Sequence, residues 1–390
     1  MPLTPDAEAD RAYWDRLAQY DPLWAILSDP SKTDRRWDLR GFLETGEREI
    51  SLLMYQLRAL GLEAPRESAL DFGCGVGRLS QPLAECFDRV VGVDISPEMI
   101  RLANQINRHP SRVRYVCNTR SDLAAFSDGE FTFMYSNVVL QHIEPPRALA
   151  YLRELLRVVA SGGVLVFQLP SHVRPAEEQR AASRPMRDES YRASLQIDGD
   201  VPRTIAPGSS LTLTMMVTNR SRHAWSQRDT GPIRLGNHWL AESGGAMLIQ
   251  DDGRAVLPHV VDAGQTCRVI LTVNVPPEPG EYLLECDLVH EGITWFHDRG
   301  SPTWRSGVRV PGAAAEQTRA GGQRAGEMSL ALPDVSAIEP PGPLPMHGIH
   351  RDLVSRAVDE NRGSIVHAEL DERCGPEWIG YRYFVRKLSA

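Results

Sequence analysis

The chain lacks the run of about 20 consecutive apolar residues that a membrane-spanning helix needs. Its N-terminus, MPLTPDAEADRAYWD, is polar and acidic, which is not the pattern of a secretory signal peptide. The 6 cysteines among 390 residues are scattered, and none belongs to a zinc-type pair. We therefore expect a cytoplasmic protein with reduced thiols, no membrane span and no metal site.

The chain also has fewer basic than acidic residues. The chain has 43 Lys and Arg against 51 Asp and Glu, which gives a formal net charge of -8. This balance argues against nucleic acid as the main partner. A hydrophobic content of 42% and a charged content of 24% are those of an ordinary globular protein, long enough for two or three domains.

Short apolar runs alternate with helical stretches in residues 63–190. The runs SALDF, VVGVD, VRYVC, FTFMYS and GVLVFQL are predicted to be buried strands, and the alternation predicts a parallel sheet with helices on both faces. Residues 1–62 have a helical pattern and are predicted to form a lid, in which Trp37, Phe42 and Thr45 close over the site. The alternative is a helical hairpin that merely covers the sheet.

Residues 191–311 lose the helical period and alternate between apolar and polar positions, which predicts a β-sandwich. Residues 312–345 are rich in Ala, Gly and Pro and are predicted to be a flexible linker. Helix and strand patterns return in residues 346–390. The change of period and its return indicate that a strand-rich module interrupts an α/β domain.

Three alternating glycines, Gly73, Gly75 and Gly77, follow the first predicted strand and precede a helix. Glycine at a first strand-to-helix turn lets a ligand touch the backbone. A dinucleotide fingerprint needs glycine at its first, third and sixth positions. Counted from Gly73 or Gly75, the sixth positions are Arg78 and Ser80, so the turn is not a dinucleotide site.

Two aspartates flank this turn. Asp71 would repel a pyrophosphate but attract an ammonium group, and Asp94 ends the second strand, where a carboxylate can accept both ribose hydroxyls. These features predict a ligand with a nucleoside at one end and an amino acid at the other. The alternative is a glycine-rich turn of some other α/β enzyme.

The pair of motifs DFGCGVGR and VVGVDIS resembles the first two motifs of class I S-adenosylmethionine-dependent methyltransferases. The resemblance covers residues 38–171 and extends to the final forty residues. It implies S-adenosyl-L-methionine as cofactor and a Rossmann-like α/β fold with a mostly parallel seven-stranded sheet. Residues 63–190 and 346–390 are then two parts of one methyltransferase domain. One departure is that the fourth strand begins Phe131-Thr132, where the family commonly has Phe-Asp.

The resemblance also implies a set of cofactor-binding residues. They are Asp71, Gly73, Gly75, Gly77, Arg78, Asp94, Ile95, Met99, Asp122, Leu123, Ser136 and Asn137. Asp71 is expected near the methionine ammonium and Asp94 on the ribose. Ile95 and Met99 are expected to pack on the adenine, whose amino group Asp122 would reach beside the Leu123 backbone. A helix cap is the alternative role for Asp122.

His142 follows the fourth strand, at the edge of the sheet where open α/β proteins bind ligands. Methyl transfer is an in-line displacement that depends on positioning, and a hydroxyl acceptor also benefits from a base. His142 is therefore the predicted catalytic residue, as base or as substrate-orienting group. The alternative is a hydrogen-bonded structural histidine.

The predicted β-sandwich resembles an immunoglobulin-like domain of bacterial proteins that build or decorate surface polysaccharides. The resemblance implies O-methylation of a saccharide, glycan or related polar hydroxyl, and docking of glycan-assembly enzymes through the sandwich. The candidate stacking platforms are Trp225, Trp239, Trp295 and Trp304, of which at least two are expected in the sandwich core. Two alternatives stay open: a natural-product O- or N-methyltransferase, and a non-catalytic cofactor-binding scaffold.

Overall fold

The computed structural model divides into two compact units, Met1–Val173 with Arg324–Ala390 and Arg174–Gln323. The residues it describes are 4–29, 32–175, 185–226, 232–241, 247–249, 253–257, 260–291, 293–311, 330, 332, 342, 345–371, 373–375 and 377–389. Apart from residues 330, 332, 342 and 345, the predicted linker 312–345 lies outside the described residues.

The first unit combines helices with one large sheet. Its helices are α1 (Pro5–Tyr20), α2 (Pro22–Ile26), α3 (Leu39–Ala59), α4 (Ser80–Leu83), α5 (Pro97–Gln105), α6 (Pro145–Val158) and α7 (Arg351–Glu360). Its strands are β1 (Ser68–Phe72), β2 (Arg89–Asp94), β3 (Val113–Cys117), β4 (Phe131–Ser136), β5 (Val159–Val173), β17 (Gly363–Asp371) and β18 (Trp378–Lys387). A 3-10 turn, Leu140–His142, follows β4.

The sheet has seven strands in the order β17-β18-β5-β4-β1-β2-β3. Strands β1 to β5 pair in parallel, and β18 pairs antiparallel with both β5 and β17. The mostly parallel, seven-stranded sheet predicted from the sequence is therefore confirmed. Every residue of β1 and β4 is buried, as expected for central strands covered on both faces.

Helices pack on both faces of this sheet. One apolar cluster packs sheet residues against Leu152 and Leu155 of α6 and Val354 of α7. A second cluster packs other sheet residues against Leu53 and Leu57 of α3. Burial of these apolar stripes is the main stabilising contribution.

Thr132 stands at the start of β4, where the resembled family commonly has aspartate, and its contacts explain this difference. Its hydroxyl donates to the Pro65 carbonyl at 2.7 Å and accepts from the Ser68 backbone N–H at 3.2 Å. These bonds tie the amino ends of β1 and β4 together, so Thr132 has a structural role away from the carboxyl edge.

The second unit is built from strands. They are β6 (Ala193–Ile197), β7 (Ser210–Asn219), β8 (Trp225–Ser226), β9 (Ile233–Ala241), β10 (Met247–Ile249), β11 (Arg254–Val256), β12 (Val260–Val261), β13 (Thr266–Asn274), β14 (Gly280–His290), β15 (Thr294–Trp295) and β16 (Trp304–Val310). They form sheets of six, three and two strands. The all-β character is confirmed, whereas the immunoglobulin-like classification stays a prediction.

The four tryptophans of this unit differ in exposure. Trp225 and Trp239 are buried in the apolar cluster of the strands, which confirms that at least two belong to the core. Trp295 and Trp304 are half-buried.

None of the described helices combines the length and the apolar composition that crossing a membrane would require.

Candidate functional site

A cleft lies at the carboxyl edge of the seven-stranded sheet, where β1, β2 and β4 end. Its empty space is about 930 Å³, a volume that includes open solvent at its mouth. Its lining residues are Ala7, Asp10, Trp14, Ala25, Ile26, Phe72, Gly73, Gly75, Val93, Asp94, Ile95, Met99, Asn118, Asn137, Val138, Val139, Ile143, Arg147 and Tyr151. Ligands of open α/β sheets bind at this edge, so the cleft is the candidate site.

The glycine turn forms one wall of the cleft. Gly73 and Gly75 have φ angles of 79° and 52°, in the left-handed region that favours glycine. A Cβ at Gly73 would lie 2.2 Å from Val139 Cγ2, and one at Gly75 would lie 2.5 Å from Ile26 Cδ1. Both positions therefore need glycine for backbone conformation and for space.

Gly77 has a different role from the other two glycines. Its φ is also positive, but a Cβ there would lie 2.1 Å from the Tyr115 hydroxyl, and the residue does not line the cleft. A larger residue at position 77 would clash with Tyr115 of β3, so packing and not a ligand requires glycine at this position.

Asp94 is held rigidly at the end of β2. Its Oδ2 accepts the Gly75 backbone N–H and its Oδ1 accepts the Ser96 backbone N–H, both at 2.9 Å. Burial raises the pKa of Asp94, and the two N–H donors oppose that shift. Each oxygen has a second lone pair, so the carboxylate can accept further hydrogen bonds from a ligand in the cleft.

Asp71 lies beneath the glycine turn and does not line the cleft. Only 1% of the residue is exposed, and its Oδ2 accepts the Ser80 hydroxyl at 2.6 Å. Burial raises the pKa of Asp71 to about 7, while the Ser80 hydroxyl and the Arg78 guanidinium oppose the shift. The structure therefore places the Asp71 carboxylate behind the lining of the cleft, bonded to the first residue of α4.

We expect Asp71→Asn to change how stability depends on pH. The folded-state pKa of Asp71, about 7, lies above its ordinary value of 3.8, so protonation stabilises the folded chain and that contribution is lost as the pH rises from about 4 through 7. The amide is neutral throughout and can still accept from Ser80. At pH 8 the variant should melt ~5 °C above the wild type, with little difference at pH 4. Identical Tm-against-pH curves would contradict the assignment.

Asn137 lines the cleft and carries a buried polar atom that lacks a partner in the described part of the chain. Its Nδ2 donates to Glu49 Oε1 at 2.8 Å, which orients the amide, and its Oδ1 is buried with no hydrogen-bond partner among the described residues. The Ser136 hydroxyl is likewise buried and without a partner there, behind the cleft wall. Val138, the next residue, has a φ of 59°, a strained conformation for a β-branched residue that is typical of functional sites.

Glu49 of α3 organises the groups behind Asn137. It accepts the Tyr135 hydroxyl at 2.6 Å and an Arg78 guanidinium N–H at 2.8 Å. Burial alone would raise the pKa of Glu49, but the Arg78 and Arg373 guanidiniums outweigh it and hold the pKa at about 2. Arg78 is thus placed in this buried network and not on the cleft.

The structure places Asp122 and Leu123 outside the lining of the cleft, so their predicted contacts with the adenine stay a prediction. Asp122 pairs with Arg120 at 2.8 Å, and the Leu123 backbone N–H donates to Glu154 Oε2 at 2.9 Å, so neither lines the cleft. Asn118 lines it instead, beside Ile95 and Met99. Asn118 directly follows the last residue of β3, and the rule that ligands bind at carboxyl ends of strands would have identified it.

His142 is not brought to the cleft surface. Its Nδ1 lies 2.7 Å from the Pro345 carbonyl, its Nε2 lies 3.1 Å from Gln141 Nε2, and its ring contacts the Trp14 ring at 5.3 Å between centroids. Burial lowers the pKa of His142, and the hydrogen bond to the Pro345 carbonyl opposes that shift. Both ring nitrogens are engaged by the chain, which favours the structural alternative for this histidine.

The helical N-terminal segment contributes residues that the sequence did not single out as site residues. Asp10 and Trp14 of α1 and Ile26 of α2 line the cleft. Arg147 and Tyr151, which lie on α6 outside this segment, line it as well. The hydrophobic spacing of the segment did not indicate which of its faces meets the cleft.

The three predicted lid residues do not line the cleft. Trp37 and Phe42 pack in an apolar cluster with other residues of the N-terminal helices. The Thr45 hydroxyl lies 3.3 Å from Arg78 Nη1, within the buried network of Glu49. These three residues therefore belong to helical packing, while other residues of the N-terminal segment line the cleft, and the lid itself stays a prediction.

Comparison with known proteins shows that part of the chain around this cleft is similar to methyltransferases. Residues 70–167 match a family model described as a methyltransferase domain. The 2-methyl-6-phytyl-1,4-hydroquinone methyltransferase of Synechocystis is 32% identical over 114 residues, which cover 29% of this chain and 35% of that protein. A ubiquinone biosynthesis O-methyltransferase of Xanthomonas campestris is 32% identical over 102 residues, covering 26% of this chain and 42% of that protein.

The chain therefore spans well under half the length of these curated relatives. Among solved structures, an S-adenosylmethionine-dependent methyltransferase from Clostridium acetobutylicum aligns with 10% identity and a TM-score of 0.37, covering 87% of this chain and 90% of that one.

Proposed function

We propose that the chain, whose residues 70–167 match a methyltransferase domain, is a class I S-adenosylmethionine-dependent methyltransferase that transfers the methyl group to a hydroxyl of a small aromatic acceptor. The observation that carries this proposal is one continuous cleft. Gly73, Gly75 and Asp94 line it from the sheet edge, and Trp14 and Arg147 line it from the helices. A cofactor and an acceptor can thus meet in the same site.

The cleft fits S-adenosylmethionine, which supplies a methyl group activated by a sulfonium. Gly73 and Gly75 allow close backbone approach, and Asp94 has lone pairs for the ribose hydroxyls. Asn137 Oδ1 is a buried acceptor suited to an ammonium donor. Asn118 and Met99 would border the adenine.

The remaining walls favour a flat, largely apolar acceptor. Trp14, Ile26, Val139 and Ile143 line this part of the cleft. Aromatic and aliphatic side chains stack well on aromatic rings, whereas a saccharide would need several hydrogen-bonding groups. One curated relative is named for a hydroquinone, which supports an acceptor of this class.

Asp10 and Arg147 are the charged groups proposed to act on the acceptor hydroxyl. Arg147 Nη2 donates to Asp10 Oδ2 at 2.7 Å, and Arg147 Nε is buried without a hydrogen-bond partner among the described residues. The open N–H would hold the acceptor oxygen, and the carboxylate would take or orient its proton. Positioning of the oxygen supplies the rest of the rate enhancement.

We expect Asp10→Asn to lower turnover by roughly 10²-fold while affinity for S-adenosylmethionine stays unchanged, because only the proton-accepting group is lost. Arg147→Met should raise the KM for the acceptor as well. Arg153→Met is the matched control, since Arg153 lies on the same helix but is exposed. The measurement is transfer of a labelled methyl group to a hydroquinone.

The same assay decides between Asp10 and His142. Because both ring nitrogens of His142 are already engaged, His142→Ala should reduce stability more than kcat. If a folded His142→Ala variant lost roughly 10²–10⁴-fold in turnover while Asp10→Asn stayed active, His142 would be the base after all.

An acceptor panel tests the proposal as a whole. It should contain hydroquinones, catechols and other phenols beside sugars and nucleotide-sugars. Methylation of a phenolic hydroxyl is the expected result. Methylation of a sugar alone would favour the saccharide acceptor expected from the sequence, and cofactor binding without transfer to any compound would favour the scaffold alternative.

A further inference from the structure

A cluster of buried polar side chains lies in the second unit, on the face of its six-stranded sheet that is turned away from the apolar cluster. His238 on β9 is directly opposite Glu285 on β14, and the two residues are 0% and 3% exposed. Their chain neighbours Trp239 and Leu284 point into the apolar cluster. Burial of imidazole and carboxylate groups is costly, so their placement here calls for a function.

His297 brings a third ligand-type group to the same place. It begins the short 3-10 turn His297–Arg299 after β15. One ligand atom each from His238, Glu285 and His297 lie within 4.8 Å of one another. Three side chains from separate elements thus converge on one point.

A hydrogen bond to Asp287 orients His297. Asp287 Oδ2 lies 2.7 Å from His297 Nδ1 and also accepts the His297 backbone N–H at 3.0 Å. A carboxylate that holds one ring nitrogen leaves the other to face a metal, which is the usual arrangement around metal-binding histidines. The other nitrogen, Nε2, lies 3.3 Å from Asp298 Oδ1, an exposed carboxylate that a bound metal ion would displace from the ring.

The residues around the cluster also leave its ligand atoms available for a metal ion. Thr303 and Arg305 both donate to Glu285 Oε2, so Oε1 is left to act as a ligand. The Trp295 ring covers His238 at 4.1 Å between centroids. A Cβ at Gly236 would lie 2.3 Å from Arg254 Nη1 and 2.8 Å from the Trp295 ring, so a glycine there makes room for both side chains.

We propose that His238, Glu285 and His297 bind a Zn²⁺ ion in the second unit. Two imidazoles and one carboxylate are a zinc ligand set that leaves a fourth position for water or for an oxygen of a bound molecule. Tetrahedral ligands lie about 3.4 Å apart, so the ligand atoms must draw together by at most about 1.4 Å when the ion binds. The scattered cysteines predicted no metal site, because these ligands are histidines and a glutamate far apart in sequence.

The test is a titration of the full chain with Co²⁺, followed by the visible absorption of the bound ion, and competition by Zn²⁺. The wild type is expected to bind one equivalent with a four-coordinate spectrum, which Zn²⁺ abolishes. His297→Ala should lose the site, and Asp287→Asn should weaken it by roughly 10–100-fold. His223→Ala is the matched control, because His223 is an exposed histidine of the same unit and should bind like the wild type.

Glu285→Gln is the second variant, because the amide can still accept from Thr303 but is a poor zinc ligand. It should remain folded by circular dichroism and bind Co²⁺ at least about tenfold more weakly. Absence of a stoichiometric site in the wild type would overturn the proposal, as would wild-type affinity in both His297→Ala and Glu285→Gln. The readout does not involve methyl transfer, so its outcome is independent of the proposed catalytic function.

Discussion

Asp94→Ala is expected to bind S-adenosylmethionine about 5- to 150-fold more weakly than the wild type. Removing the carboxylate would delete the two ribose hydrogen bonds proposed for Asp94, worth on the order of 1–3 kcal/mol together. It also releases the backbone N–H groups of Gly75 and Ser96, so the glycine turn loses the anchor that shapes it. Calorimetric titration of the purified variant measures the loss directly.

Asp122→Ala is the matched control for this experiment. Asp122 was predicted to reach the adenine, but its carboxylate pairs with Arg120, and its backbone carbonyl contacts the cleft-lining Asn118. Its removal should leave the affinity for S-adenosylmethionine within about twofold of the wild type, whereas Asn118→Ala should lower it. The opposite ranking, with Asp94→Ala unchanged and Asp122→Ala weakened, would show that the cofactor lies elsewhere.

A chain truncated after residue 323 is expected to lose its fold and its affinity for S-adenosylmethionine. Strand β18 pairs with β5 from Val164 to Val173, and Phe384 and Val385 are fully buried in the two clusters of the sheet. Truncation would expose the whole edge of β5, and a bare, apolar strand edge promotes aggregation. Yield of soluble protein, circular dichroism and calorimetry with S-adenosylmethionine measure the effect.

The complementary variant replaces residues 174–323 with a flexible Gly/Ser linker and should stay folded. The returning chain runs close to the point of departure, since the Ile349 backbone N–H donates to the Pro170 carbonyl at 2.8 Å. Insertions between chain ends that lie close together are well tolerated. If the truncated chain bound the cofactor and the excised chain did not, the strands β17 and β18 would not be needed and the insertion account would be wrong.

The sheet and one end of the site were predictable for definite physical reasons. Buried parallel strands appear as short apolar runs, and the glycines at 73 and 75 indicate a backbone under ligand and packing constraints. Asp94 follows from its position at a strand end. Asn118 satisfies the same rule, whereas the resemblance to the methyltransferase family pointed to Asp122 for the adenine.

The other end of the cleft could not be predicted, because it depends on contacts between distant parts of the chain. Asp10 meets Arg147 across the cleft, and nothing in either local pattern indicates that pairing. The His142 ring lies 2.7 Å from the carbonyl of Pro345, which is 203 positions further along the chain. The local sequence around His142 therefore does not show that this ring nitrogen has a partner. Periodicity identifies an apolar helix face but not the group that it will contact.

The most direct test of the central claim is a crystal structure of the full chain with S-adenosylhomocysteine. The account predicts the ribose hydroxyls on Asp94, the adenine beside Asn118 and Met99, and the amino-acid end near Gly73 and Asn137. The homocysteine sulfur should face the part of the cleft that holds Trp14 and Arg147. Density for the ligand outside this cleft, or an adenine at Asp122, would contradict the account.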